Sequence, residues 1–195
     1  MLLLPGQKNL IRLLVSPLGE PAASQIVHAA AGRYPALLAA CPPSPDPVRL
    51  TKQVLPILAL YQVLQSQGMA RVEALSILEP VVLEAYFGFL RQGLAAFGRL
   101  PINTFSILRP ALQMMARPVN ERSGRVIEDN PQRLVVHTYV CPILEALKTY
   151  DAPELTVVYC ASDDWLAATM PRIRWLRTTT LGRGGAQCDF HWERS

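Results

Sequence analysis

The chain is poor in charge. Only 17% of its 195 residues are Asp, Glu, Lys or Arg, against roughly a quarter in an average soluble domain. Such a deficit points to extensive burial or to a partner subunit, so a homo-oligomer is one reading. Runs of Lys and Arg are missing, as is any interleaving of basic with aromatic residues, and nucleic-acid binding has no support. Long apolar runs are missing too. A membrane-spanning helix needs about 20 consecutive apolar residues, and the best stretch, Val54 to Ala70, contains Pro56, three glutamines, a serine and Gly68. The apolar start, Met1 to Leu4, has no basic leader and is interrupted at once by Pro5, Gly6, Gln7 and Lys8. Neither a membrane nor a secretory signal is read from it, and a cytoplasmic protein is expected. Of four cysteines no two form a Cys-x-x-Cys pair, so a zinc ribbon is unsupported, and disulfides are out of place in a reducing compartment. A serine-hydrolase elbow, a phosphate-cradling loop, a dinucleotide fingerprint and a metalloprotease helix are all absent. Gly182-x-Gly184-Gly185 is too short for a phosphate loop.

What is present is a core-forming composition with many prolines. Half of the residues are hydrophobic and 17 are proline. Each proline fixes φ and removes a backbone donor, so they must mark helix starts, kinks and connections. The net charge of +4 divides unevenly: residues 1–120 carry 10 basic and 5 acidic side chains, residues 121–195 carry 9 and 10.

The texture also divides there. Helical spacing runs through Leu10, Leu13 and Leu14 and again through Ile26, Val27, Ala30 and Ala31. Cys41 to Pro47 holds four prolines and reads as a stiff connection. Further helices are expected over Leu50–Gln67, with Pro56 near the start or at a kink, and over Arg71–Phe97, broken or bent at Pro80. A fourth, capped by Asn103, Thr104 or Ser106, includes Leu112, Met114 and Met115, the methionines facing a core or an interface. After Pro118 the pattern becomes Gly124–Glu128 as a strand, a turn at Asp129-Asn130-Pro131, and an alternating strand over Arg133–Val140. Helices follow from Pro142 to Tyr150 and from Pro153 to Met170, closed by Pro171. Strands over Arg172–Leu181 and Gln187–Glu193 finish the chain. The expectation is an α+β fold: a helical portion over 1–120, then an antiparallel sheet over 121–195 in β-β-α-α-β-β order with helices on one face, in one compact domain.

Three of the cysteines lie in this last portion. Cys141 precedes Pro142, where a helix start can depress a thiol pKa. Cys160 is mid-helix with Asp163 and Asp164 at i+3 and i+4. Cys188 shares a strand face with Phe190 and Trp192, while Asp189 and His191 point the other way. His137 and Cys141, four apart on a strand, lie about 13 Å from each other. Arg177 can clamp a carboxylate bidentately or form an inter-strand ion pair. Each has a plain structural alternative: a buried cysteine is commonly a small hydrophobe, the aspartates suit a solvated helix face, and the histidines suit strand packing.

Taken in order, Cys141-Pro142, Tyr159-Cys160-Ala161-Ser162-Asp163, and Arg177-Thr178-Thr179-Thr180-Leu181 leading through Gly184 to Cys188-Asp189-Phe190-His191-Trp192 resemble the L-2-amino-thiazoline-4-carboxylic acid hydrolase family, over about residues 120–195. The family commonly has an acidic or polar residue just before Cys188, where this chain has Gly185 and Ala186. The resemblance implies hydrolytic opening of a small sulfur–nitrogen heterocycle. It casts Cys160, Asp163, Cys141 and Cys188 as catalytic candidates and Arg177, His137, His191 and Asp164 as substrate contacts. The same Cys, His and Asp set would also suit Zn or Fe. A small-molecule-binding module of vinyl-4-reductase-like layout, or an enzyme for another small heterocycle, are the alternatives.

Overall fold

Helices α1 (Gln7–Leu18) and α2 (Glu20–Ala39) form a hairpin around Gly19, whose φ of 80° is open to glycine at no steric cost. The chain in this computed structural model is described over residues 3–100, 102–116, 118, 120–170 and 172–195, the side chains of 115 and 116 excepted. The proline-rich connection is non-helical as expected. Asp46 then caps the short α3 (Pro47–Arg49), its carboxylate accepting from the Arg49 amide at 2.9 Å.

The two long helices expected next are each split by a π-helical turn. Leu50–Val54 is π-helical before α4 (Leu55–Ser66), and Leu83–Phe87 is π-helical between α5 (Arg71–Val82) and α6 (Gly88–Gly98). At the first, Pro56 cannot donate to the turn before it, and a wider turn absorbs the lost bond. Pro80 does not break its helix; the distortion follows it, at Leu83. Asn103 caps α7 (Thr104–Ala116) by accepting from Ser106 at 3.1 Å. Met114 is exposed rather than core, and the side chain of Met115 lies outside the described residues.

The sheet has four antiparallel strands, β1 (Gly124–Asp129), β2 (Arg133–Thr138), β3 (Ile173–Leu176) and β4 (Cys188–Arg194), in spatial order β1-β2-β4-β3. Between β2 and β3 come α8 (Pro142–Lys148), a 3₁₀ turn at Pro153–Leu155, and α9 (Thr156–Ala167). The α+β plan and the β-β-α-α-β-β element order hold. Two strands are shorter than the sequence implies. β2 stops at Thr138, so Cys141 leaves the strand and caps α8, and its strand spacing from His137 does not apply. β3 stops at Leu176 for a reason given below. Pro171, expected to close a helix, lies outside the described residues.

Leu134, Val136, Phe190, Trp192 and Trp175 face Phe105, Leu108 and Leu112 of α7 and the end of α9, forming the smaller of two cores. The larger core takes most of its residues from α1, α2, α4 and α5 but continues into Ala146, Leu147, Leu155, Val158 and Tyr159. Tyrosine hydroxyls reinforce that seam: Tyr150 donates to Leu37 O at 2.9 Å, Tyr159 to Gln53 O at 3.1 Å, and Tyr61 to Glu154 at 2.6 Å. Among the described residues no helix is long and apolar enough to cross a membrane.

Because all three tryptophans (Trp165, Trp175, Trp192) lie beyond residue 120, they report on a packing defect placed in the helical portion. Leu58→Ala, at a fully buried site in α4, is expected to cost about 2–5 kcal/mol. Its denaturant midpoint should fall equally by tryptophan fluorescence and by far-UV dichroism; separate midpoints would show that the shared core does not couple the two portions.

Candidate functional site

Helix α9 carries Tyr159, Cys160, Asp163 and Asp164, and the connection from β3 to β4 folds back on top of it. The approach is close at Gly182: a Cβ there would come within 2.7 Å of Cys160 Sγ and 2.9 Å of Thr156 Cγ2. Only glycine fits. Gly185 is equally confined, since a Cβ would strike Thr179 Oγ1.

Arg177 leaves the end of β3 and turns inward. Its side chain is 2% exposed, and it donates to Asp163 Oδ2 at 2.7 Å, to Asp164 Oδ2 at 2.5 Å and to the Cys160 carbonyl at 2.9 Å. Trp175 Nε1 donates to the other oxygen of Asp164 at 2.9 Å. Of the two readings for Arg177 the inter-strand pair does not form: among the described residues its partners lie on α9. Its donors are committed to the protein and shut away from solvent.

Two carboxylates crowd this place, with Arg177 bonded to both and the more exposed Arg183 guanidinium 3.8 Å from Asp164 Oδ2. Burial raises the Asp163 carboxyl to about 6, above its ordinary 3.8, although Arg177 and the nearby Arg49 oppose the shift, and Asp164 adds to it. Yet 41% of the Asp163 side chain remains open. A carboxyl ringed by protein but still reached by solvent lies in a recess. Such a group is a candidate for proton exchange with a small molecule.

The stretch after Arg177 does not continue the β-ladder because Asp189 takes its amides. The Asp189 carboxylate accepts from the Thr178 amide at 3.0 Å, the Thr179 amide at 2.8 Å and the Thr178 hydroxyl at 2.6 Å. Burial works against its charge, but these bonds outweigh burial and hold its pKa below the ordinary value. Thr180 then caps a 3₁₀ turn at Leu181–Arg183, and the Leu181 amide donates to Cys188 Sγ at 3.3 Å. Cys188 and Cys160 are buried and Cys141 is half-buried. Burial pushes Cys188 up to about 11, and the charges of Cys160, Cys141 and Asp163 add to that shift. Cys160 is raised first by burial and further by Cys141 and Asp163. The three sulfurs and Asp163 thus share one neighbourhood. Cys160 and Cys188 are neutral thiols at pH 7, the reverse of an activated thiolate.

The histidines stand apart. His137 and His191 stack with ring centroids 6.2 Å apart, on the sheet face opposite Cys188, with Gln187 bonded to His137 at 3.2 Å. Two hollows open at the far end of β4. One, of about 300 Å³, is lined by Ile102, Asn103, Thr104, Arg172, Arg194 and Ser195; the other, of about 480 Å³, surrounds Asn130 and Arg133. Neither has a thiol or a perturbed acid in its wall, and neither is the candidate site. Among the described residues no group of three or more His, Cys, Asp or Glu side chains is close enough to hold a metal ion.

Sequence reading passed over Arg49, Tyr86 and Trp175. Arg49 is a single arginine behind a proline-rich connection, and nothing local marks it; its charge is felt at Asp163 and Tyr159. Tyr86 has a fully buried hydroxyl with no partner.

Asp189→Asn is expected to lose about 1.5–3 kcal/mol at neutral pH through its bonds to Thr178 and Thr179. A depressed carboxylate stabilises the fold above its unfolded pKa and loses that contribution as pH falls through the folded one. The difference between wild type and variant should therefore narrow below pH 3.8, as urea titrations across pH would show; a constant difference would mean that the charge is irrelevant.

Two solved structures align with nearly the whole chain at low similarity. The Fe(II) unliganded H-NOX protein from K. algicida shares 10% identity at a TM-score of 0.35, over 97% of this chain and 95% of that one. A point mutant of the same protein shares 10% at a TM-score of 0.32, over 98% and 96%. At those scores the overlap carries no argument. No curated protein matches the chain. The family model for L-2-amino-thiazoline-4-carboxylic acid hydrolase does match, over residues 49–192, so the likeness reaches well into the helical portion instead of stopping at the last third. The chain belongs to the L-2-amino-thiazoline-4-carboxylic acid hydrolase family.

Proposed function

We propose that the chain is a hydrolase that opens a small sulfur–nitrogen heterocycle, 2-amino-thiazoline-4-carboxylate or a close cyclic amidine, with Asp163 as general acid. The observation that carries this reading is the proton on Asp163, raised to about 6 in a recess beside the thiols. A catalytic pKa near the operating pH is what proton transfer needs. The family match agrees with it.

In this reading Asp163 protonates the ring nitrogen, and the carbon between nitrogen and sulfur becomes electrophilic. Water adds to that carbon. Asp164, whose oxygens accept from Trp175 and Arg177, relays the protons that the water gives up. The carbon–sulfur bond then breaks, leaving an N-carbamoyl thiol, N-carbamoyl-cysteine for the named substrate. Of the two water protons one ends on the departing sulfur and the other restores Asp163, so the acid is regenerated. Cys160 and Cys188, held neutral, line the place where sulfur leaves, and Cys141 is the most open of the three thiols. Arg177 fixes both aspartates and is a positioning residue.

Mass spectrometry of the protein incubated with a panel of thiazolines and cyclic amidines tests the reading. Turnover by addition of one water is expected, and Asp163→Asn should lower kcat by about 10²–10⁴-fold. The acid must be protonated, and its folded pKa is raised, so the wild-type rate should decline as pH rises through about 6, a limb absent from the variant. No turnover of any panel member would overturn the reading; a covalent adduct on a cysteine would replace water as the attacking group.

A further inference from the structure

The carboxylate of the substrate needs a cation, and Arg177 cannot supply it. A ligand has no access to a side chain 2% exposed whose donors face Asp163, Asp164 and the Cys160 carbonyl. A second arginine approaches the same aspartate from the helical portion. Arg49 ends α3 and is half-buried, its backbone amide fixed by Asp46. Among the described residues no carboxylate lies within ion-pair distance of its guanidinium. None of its nitrogens is both buried and unpartnered. They remain accessible.

Local geometry aims it at the recess. Gln53 lies four residues beyond Arg49, about one helical turn, and its carbonyl accepts the Tyr159 hydroxyl at 3.1 Å. Tyr159 and Asp163 are likewise four apart and share a face of α9. The Tyr159–Gln53 bond therefore ties the face of α9 that carries Asp163 to the segment that Arg49 begins, and the Arg49 charge favours the ionised form of both Tyr159 and Asp163. The surrounding wall is polar. Tyr34 donates to Thr51 O at 2.9 Å in the same π-helical turn. Tyr86, from the second π-helical turn, interacts electrostatically with Tyr34 and Tyr159 while its own hydroxyl lacks an acceptor. π-helical turns are frequent at functional sites, and the second of these two packs against α9.

We propose that Arg49 is the anchor for the substrate carboxylate, holding a small cyclic amino acid so that its ring nitrogen meets Asp163. The anchor rests on the hydrolase reading for the identity of the ring, but its function is to bind an anion. It sets specificity for acids over neutral amidines. Arginine suits the task because its planar fork matches a carboxylate.

Steady-state kinetics of Arg49→Met and Arg49→Lys test the anchor with two substrates, 2-amino-thiazoline-4-carboxylate and 2-amino-thiazoline without the carboxylate. Loss of one charge-assisted contact should raise KM for the acid by about 10–100-fold in Arg49→Met. Arg49→Lys should recover part of that loss, and the KM for the neutral substrate should stay as in wild type, while the pH limb of Asp163 moves upward for both substrates in Arg49→Met because Arg49 opposes its raised pKa. Equal losses on both substrates would overturn the anchor, as they would reveal a merely structural residue. A second measurement needs no turnover: calorimetric titration with thiazolidine-4-carboxylate, a saturated ring that lacks the amidine. Binding by wild type and about 10–100-fold weaker binding by Arg49→Met would uphold the anchor even if no thiazoline is hydrolysed. Equal affinity in both proteins, or no binding by wild type, would overturn it while hydrolysis by wild type leaves the enzymatic reading intact.

Discussion

A guanidinium withdrawn from water between two carboxylates sets the terms for the site. Moving one ion out of water costs several kcal/mol even after the protein relaxes. For Arg177 that cost is offset by Asp163, Asp164 and the Cys160 carbonyl together. To reach them the chain must leave β3 at Leu176 and bend toward α9. Everything after the bend follows from it: Asp189 takes over the amides of Thr178 and Thr179, and Gly182 lands on the Cys160 sulfur. The charge balance has a chemical consequence as well. Burial penalises charge on Asp163 by more than Arg177 and Arg49 favour it, so its carboxyl is raised to about 6. The linkage sign follows. Between 3.8 and about 6 the folded chain binds more protons than the unfolded one, so ionising Asp163 with rising pH weakens the fold slightly. Such a cost is tolerable where an acid is needed.

The sulfurs obey the same electrostatics. A thiol at a helix start beside a cation becomes a thiolate, and that is what Cys141-Pro142 invites one to expect. The two thiols further along the chain, Cys160 and Cys188, are instead buried, with the Asp163 carboxylate nearby. Burial and like charge then act together, raising Cys160 and holding Cys188 at about 11. A site with an acid that titrates near 6 and two neutral thiols favours acid-assisted attack by water over attack by either buried sulfur. Polarisable neutral thiols also make an apt lining for a departing thiol group.

What the sequence made legible was local. The alternation in β2 and β4, the Asn130-Pro131 turn, Pro142 at a helix start and the Asn103 cap all depend on residues within a few positions of one another. So does the grouping of Cys160, Asp163 and Asp164 on one helix face. The choice of partner for Arg177 was not legible, because an arginine that will clamp a ligand and one that will clamp its own chain have the same neighbours in sequence. The π-turns left only Pro56 and Pro80 as traces, and the second distortion settled beyond its proline. His137 and His191 were read as substrate contacts from residue type; strand alternation, correctly applied from Cys188, already put His191 on the other face.

Arg49 shows why the helical portion belongs in any account of the chemistry. Helix α9 is fixed from two sides. From the sheet, Arg177 and Trp175 grip Asp163 and Asp164. From the helices, Tyr159 reaches the π-turn at Gln53, and Val158 and Leu155 complete a core begun by α1, α2, α4 and α5. Neither side alone defines where Asp163 points. Burial raises its proton affinity, against which Arg177 from the sheet side and Arg49 from the helical side both act. A recess formed at such a seam takes its acid from α9 and its anchor from the helical portion. Specificity and proton transfer are then coupled, because the cation that holds the ligand also acts on the acid.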